Sequence, residues 1–357
     1  MCHAAASCWS PNPSRSATVL RCRAATTERA TRTPATAEKI VARWAAAWDA
    51  LAPLWVQAAQ AAANDPRPWR IAQAGRLRAA LAATLDGLQA AAEDTSATIT
   101  AALPDLVGDT AAGHADLIRT GLPDDPDALA RLGVGFDRVD QDQLEQAVQR
   151  GTSQITALTW PIAAEVHDML AAQLAAGVAG GDNPRAVAAR IVNLARDPID
   201  MGMHRALVIA RTEMLDAHRN AARHVEQAHA DVLAGWEWDA SLDARTCGAC
   251  LVMHGTVHPL EQAGPEGHQQ CRCARVPVTK PWRDPGFDVD EPESTTVDAR
   301  VWFDAQPVRV QRSILGPDVH DLYAGGLVGW EDLATKRTSP GWRDSWVPTP
   351  LSALQPA

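Results

Sequence analysis

Trp236-Glu-Trp-Asp239, then Asp243-Ala-Arg-Thr-Cys247-Gly-Ala-Cys250, then His268-Gln-Gln-Cys271-Arg-Cys273 gather two sulfur pairs and a histidine in one short stretch. The chain holds seven cysteines, and the remaining ones, Cys2, Cys8 and Cys22, all lie near its start. Soft ligands clustered in a sequence that otherwise avoids them point to a metal knot or a disulfide pair rather than to packing residues. Trp236–Asp239 alternates apolar and polar side chains, the period of a strand. This stretch reads as a small Cys/His-stapled α+β module.

Upstream, the period changes. Trp44, Trp48, Leu51 and Trp55 recur at steps of four, three and four, which is one face of a helix starting near Thr36. Pro53 is expected to kink or split it. Leu77, Leu81, Leu85 and Leu88 form a second stripe, and the Gly, Pro and Asp punctuation of residues 104–126 suggests loops with short helices. A third stripe runs Leu144, Val148, Gly151, Ile155, Leu158, Ile162, Val166 and Met169, close to a heptad. It fits the core of an intramolecular bundle or a docking seam for a partner. Further helices are expected over Ala186–Leu194 and from Met203 to about Ala230, with Gly235 as the breaker. Arg211-Thr-Glu213 lies mid-helix, as a charged cluster facing the cysteine module or a solvated face. His218, His224 and His229 share no clean face and read as surface residues.

The fold class follows as α+β, with a predominantly helical N-terminal part ahead of the stapled module. Residues 1–35 read as a disordered tail or an over-extended start, 36–182 as a helical domain and 183–280 as the stapled module. Residues 281–300 read as a linker, 301–337 as a short C-terminal element and 338–357 as a loose tail. Alanine supplies much of the 46% apolar content, and 13 Trp stand against three Phe and one Tyr, a helical composition. A net charge of −10 in 357 residues argues against a general nucleic-acid coat protein. No run of 18 apolar residues and no secretory h-region is present, so no membrane partner is expected and the reducing compartment favours metal or free thiols over disulfides.

Zinc takes four Cys or His ligands in a tetrahedron, and a C-x-x-C turn supplies two from one knuckle. Cys247, Cys250, His268, Cys271 and Cys273 are five candidates for four places in a structural zinc site, and His254 and His258 are further ones. A thioredoxin-like use of Cys247 and Cys250 would need a helix starting at the motif. The segment Leu251-Val-Met-His-Gly-Thr-Val-His258 reads instead as strand or turn. No His-Glu-x-x-His, phosphate loop, nucleophile elbow or kinase signature occurs, so no catalytic residue and no organic cofactor is assigned.

Ile209-Ala-Arg-Thr-Glu213, Ala217 to Ala222, Trp236-Glu-Trp, Asp243-Ala-Arg-Thr-Cys-Gly-Ala-Cys250, Gly255 and His268-Gln-Gln-Cys271-Arg-Cys273 together resemble the phage head morphogenesis family, the minor head proteins similar to phage Mu protein F. The family's closing motif is similar to Pro-Pro-x-His-x-x-Cys-Arg-Cys, and here Gly264-Pro-Glu-Gly stands where the proline pair would be. Trp302-Phe303, Val310-Gln-Arg-Ser-Ile-Leu-Gly316 and Tyr323-Ala-Gly-Gly resemble the segment that often follows. The resemblance covers about Asn183–Cys273 well and 301–334 fairly. It implies a structural, non-enzymatic virion protein of a tailed phage or prophage, made in the host cytoplasm and built into the procapsid near the portal vertex. Its implied partners are the portal protein and the major capsid or scaffold proteins, with packaged DNA as a further contact. The rival readings are a zinc-dependent nucleic-acid-binding protein and a thiol oxidoreductase or toxin-linked enzyme.

Overall fold

The structure, a computed structural model, describes residues 34–63, 74–131, 133–136, 141–159, 161–180, 184–288, 296–339 and 342–354. The expected tail of residues 1–35 falls outside these apart from the first residues of the opening helix. In chain order come helices α1 (Pro34–Ala63), α2 (Ala74–Ala101), α3 (Leu103–Gly121), α4 (Pro126–Arg131), α5 (Gln141–Thr159), α6 (Pro161–Gly180) and α7 (Pro184–Ala228). Strand β1 (Leu233–Asp239), helix α8 (Gly248–Met253) and strands β2 (Val257–His258) and β3 (Ala274–Thr279) follow. The chain ends on helices α9 (Ala299–Asp304), α10 (Val308–Leu315) and α11 (Pro317–Ala324), strands β4 (Ala334–Ser339) and β5 (Trp342–Pro348), and helix α12 (Leu351–Leu354). The α+β class read from the sequence is the observed one.

The chain forms two compact units. One comprises Thr33–Pro104 with Val148–Met214, the other Asp105–Ala147 with Leu215–Ala357. In the first, α1 and α2 run antiparallel, and two matched hydrogen bonds set their register. The Trp44 indole donates to Thr95 Oγ1 and the Trp55 indole to Thr84 Oγ1, each at 3.0 Å. Both threonines already donate to the carbonyl one turn back, Thr84 to Ala80 and Thr95 to Ala91 at 2.8 Å. Their lone pairs are thereby left for the buried indoles, whose polar edge must find an acceptor. Trp48, expected on the same face, sits half-buried at its edge. Pro53 lies inside α1 without splitting it.

Several expectations are corrected. Residues 104–126 hold the 19-residue helix α3 and the short α4 rather than loops. Leu103, Val107, Ala111, His114 and Ile118 are buried at helical spacing, Pro104 falls in the first turn where it costs no hydrogen bond, and Gly108 faces open space. The two helices expected between Ala186 and Ala230 are one 45-residue helix, α7. Within it, a Cβ at Gly202 would lie 2.9 Å from Trp44 Cζ3, so glycine there lets the backbone approach the Trp44 ring. The stripe from Leu144 to Met169 is core: Leu144, Ile155, Ile162 and Val166 are buried and only Met169 is exposed. Gly235 ends no helix. It lies in β1, where a Cβ would meet the His258 carbonyl oxygen of β2 at 2.4 Å.

In the second unit the sheet order is β2-β1-β3, all antiparallel, with Trp236 opposite His258 and Pro277. Trp236 and Trp238 share one face of β1 and pack on Ala240, Cys250, Met253, Cys271 and Cys273. Glu237, on the other face, is buried and accepts from the Thr296 hydroxyl at 3.0 Å. Helix α8 serves two cores. Cys250 and Met253 join the tryptophan cluster, and Leu251 joins Phe303, Val328, Trp330 and Leu333 of the C-terminal element. Residues expected as a loose tail form strand β5, paired antiparallel with β4 from Ala334↔Pro348 to Ser339↔Trp342. Within the expected linker, Trp282 and Phe287 are buried and the Trp282 indole donates to Gly121 O at 3.0 Å.

Candidate metal centre

All five sequence candidates converge. Cys247, Cys250 and His268 form one group, and Cys250, Cys271 and Cys273 another, each with its ligand atoms within 4.8 Å of one another. Cys250 belongs to both. The four cysteines are free thiols, and these Cys/His groups can hold a metal ion.

Each half of the centre is preorganised by its own backbone. Cys247 is the N-cap of α8, in extended conformation, and its sulfur accepts from the Cys250 N–H at 3.4 Å. This corrects the reading of residues 251–253 as strand or turn. Ahead of it, the Asp243 carboxylate takes the Arg245 N–H at 2.8 Å, and Asp243 O takes the Thr246 N–H at 2.9 Å, so a tight Asx turn delivers Cys247. On the other side, the Cys271 N–H donates to His268 O at 3.1 Å, and Gln270 adopts the left-handed region at φ 61°. Gly267 is required before it, because a Cβ there would stand 2.3 Å from Cys271 Sγ.

Two arginines that the sequence reading missed hold these halves. Arg272, between Cys271 and Cys273, donates both terminal nitrogens to Asp243, at 2.7 and 2.6 Å, tying one ligand loop to the turn before the other. This pairing holds the Asp243 carboxyl well below the usual carboxylate range. Arg219, on α7 and buried, donates to the carbonyls of Cys271 (2.6 Å) and Cys273 (3.1 and 2.9 Å). Only the Arg between the two cysteines carries a sequence signal, by its place in the motif.

The donor set fits zinc. In a tetrahedron with zinc–sulfur bonds of about 2.3 Å, sulfurs stand about 3.8 Å apart, and Cys250 Sγ and Cys271 Sγ are 3.6 Å apart. The His268 Nδ1–H donates to Gln269 O at 2.6 Å, so Nε2, 3.8 Å from Cys250 Sγ, is the nitrogen left to bind a metal once it gives up its proton. That fixed tautomer is the arrangement of a metal-binding imidazole. Without a cation, protons are shared unevenly among the sulfurs. Hydrogen bonding from Cys250, together with His268, lowers Cys247 to about 5. Hydrogen bonds from Cys250 and Cys273 hold Cys271 well below the usual thiol range, and the Cys250 thiol is raised by donating to its neighbours. The Cys247 thiolate in turn raises His268 to about 9.

His254 and His258 stay outside. His254 Nδ1 accepts from the Ala240 N–H at 2.9 Å and its Nε2–H donates to Val297 O at 3.0 Å, so both nitrogens brace loops. His258 stacks on Trp236 at 4.5 Å. The helical histidines are not the surface residues expected: His218 and His229 are buried and His224 is half-buried. Thr212 and Glu213 are buried too, against the solvated-face reading. Next to the centre, Glu226 accepts from Arg275 at 2.8 and 2.6 Å and pairs with His114 at 2.7 Å, all fully buried, and the Arg275 guanidinium lies 4.5 Å over the Trp236 ring. None of the three was singled out from sequence.

Residues 140–276 match the family model described as Phage Mu protein F like protein. This segment is a Phage Mu F-like domain. It spans α5 to β3 and contains every metal-ligand candidate, so the resemblance read from the cysteine motif holds, and its start at residue 140 lies upstream of the Asn183 limit read from sequence. The Mu F-like match supports a phage head morphogenesis protein. No curated protein and no solved structure matches the chain. No helix among the described residues is long and apolar enough to cross a membrane.

Proposed function

We propose that this chain is a minor capsid protein of a tailed phage or prophage that acts in procapsid assembly near the portal vertex. Its Mu F-like module is locked by one structural zinc. The ligands are Cys247, Cys250 and Cys271, with His268 or Cys273 completing the tetrahedron. The single supporting observation is that the family match and the converged Cys/His centre occupy the same segment. Zinc bound there supplies rigidity. It fastens the N-terminus of α8 to the loop entering β3, in a module whose sheet is too small to hold those loops by apolar burial alone. The portal protein and the major capsid or scaffold proteins are the proposed partners, in the host cytoplasm and then in the virion. Co-expression with the portal protein and with procapsids, followed by sedimentation, tests this. Co-sedimentation of the wild-type chain is expected, and its absence from both overturns the assembly role.

One observation favours a second reading. Cys247 caps a helix, follows a strand-bearing segment and favours the thiolate, as a redox C-x-x-C does. Turnover would then oxidise Cys247 and Cys250 to a disulfide while a disulfide substrate takes up the two electrons and two protons. Reduction of a model disulfide that is lost in Cys247→Ser would establish it.

A further inference from the structure

Arg219 stands on α7, more than 50 residues before the cysteines whose carbonyls it holds. Its side chain is fully engaged. Nη1 donates to Asp216 Oδ1 at 2.9 Å, one turn back on the same helix. That pairing turns the opposite edge of the guanidinium toward the ligand loop, where Nη2 meets Cys271 O at 2.6 Å and Nε and Nη2 straddle Cys273 O at 3.1 and 2.9 Å. The two carbonyls belong to the first and last residues of Cys271-Arg-Cys273. Holding both carbonyls restrains the peptide planes that follow Cys271 and Cys273, and so the backbone from which both sulfurs project. The planar fork of arginine can span the two carbonyls while anchored by Asp216, which a lysine ammonium cannot reproduce. The guanidinium also brings a buried positive charge to the loop that carries Cys271 and Cys273.

We propose that Arg219 is the positioning residue of the metal centre, which couples metal occupancy to the seating of helix α7. This rests on the zinc reading above. Outer-shell partners of metal ligands typically carry about 10–100-fold in metal affinity, so Arg219→Gln should bind zinc weaker by about that factor.

The test uses the full chain, purified without chelator. Zinc affinity is measured by competition with a chromophoric chelator, and cobalt(II) is substituted to record its thiolate charge-transfer and ligand-field bands. For Arg219→Gln the expected result is the affinity loss together with altered cobalt bands. Arg219→Lys, which keeps the charge and one donor contact, should fall between it and wild type. A merely structural arginine would lower the unfolding midpoint yet leave the cobalt spectrum and the affinity of the folded fraction unchanged, and that result overturns the proposal while leaving the zinc reading intact. Wild-type protein that takes up neither zinc nor cobalt overturns both. Should Arg219→Gln fail to fold, Arg219→Lys and Asp216→Asn carry the same comparison, with wild-type affinity and spectrum in both as the overturning result.

Discussion

His218 gives the sharpest prediction about stability. Burial, then the charges of His114 and Arg219, lower its pKa from 6.5 to about 3. Its Nδ1 faces Thr110 Oγ1 at 2.8 Å, a partner that a neutral ring satisfies. In the folded chain the ring therefore stays neutral, whereas in the unfolded chain it takes a proton below about 6.5. The unfolded state binds more protons between these two values, so this residue makes stability fall as pH drops from about 6.5 toward 3. With those two pKa values, linkage gives a loss of about 2 kcal/mol between pH 7 and pH 5. Urea unfolding of wild type and His218→Asn at both pH values measures it. The asparagine keeps a polar group near Thr110 but cannot titrate, so the acid loss should be smaller in the variant by that amount, while metal-ligand protonation cancels between the two. Equal losses would refute the reasoning. So would a wild-type imidazole resonance of His218 titrating near pH 6.5, an observation that needs no variant.

Three further outcomes follow from single contacts. Thr95→Val leaves the buried Trp44 indole without its acceptor and should cost about 1–3 kcal/mol in chemical denaturation. Glu226→Ala strands the fully buried Arg275 and should cost about 3–5 kcal/mol, part of which a Glu226→Leu, Arg275→Met pair recovers if an unpaired charge is the cause. Gly267→Ala places a methyl 2.3 Å from Cys271 Sγ and should both weaken metal retention under chelator challenge and destabilise by about 1–3 kcal/mol. Unchanged retention would show that the ligand loop yields to make room.

The candidate ligands that converge in the fold could be picked out because their chemistry is local in sequence: a C-x-x-C and an H-x-x-C-x-C name their residues before any fold is known. The helical stripes were legible for a similar reason, since α1, α2, α5 and α6 repeat apolar residues at their own period. What failed was whatever depends on a distant partner. The buried histidines looked like surface because nothing near His218 announces Thr110, and nothing near His229 announces the Gly135 carbonyl that its ring meets at 3.0 Å. Arg219 gave no signal, since its carbonyl partners lie beyond β1 and α8. Helix α3 was hidden by Gly and Asp residues that usually punctuate loops, although its buried positions keep a helical spacing. The Mu F-like match begins at residue 140, where the sequence offers apolar stripes and no chemical motif to mark the start.

Zinc analysis of the wild-type protein purified without chelator, with X-ray absorption at the zinc edge, tests the account most directly. About one zinc per chain is expected, with a sulfur-dominated shell near 2.3 Å. A chain with no bound metal, in which Cys247, Cys250, Cys271 and Cys273 all react freely with a thiol reagent, would contradict it.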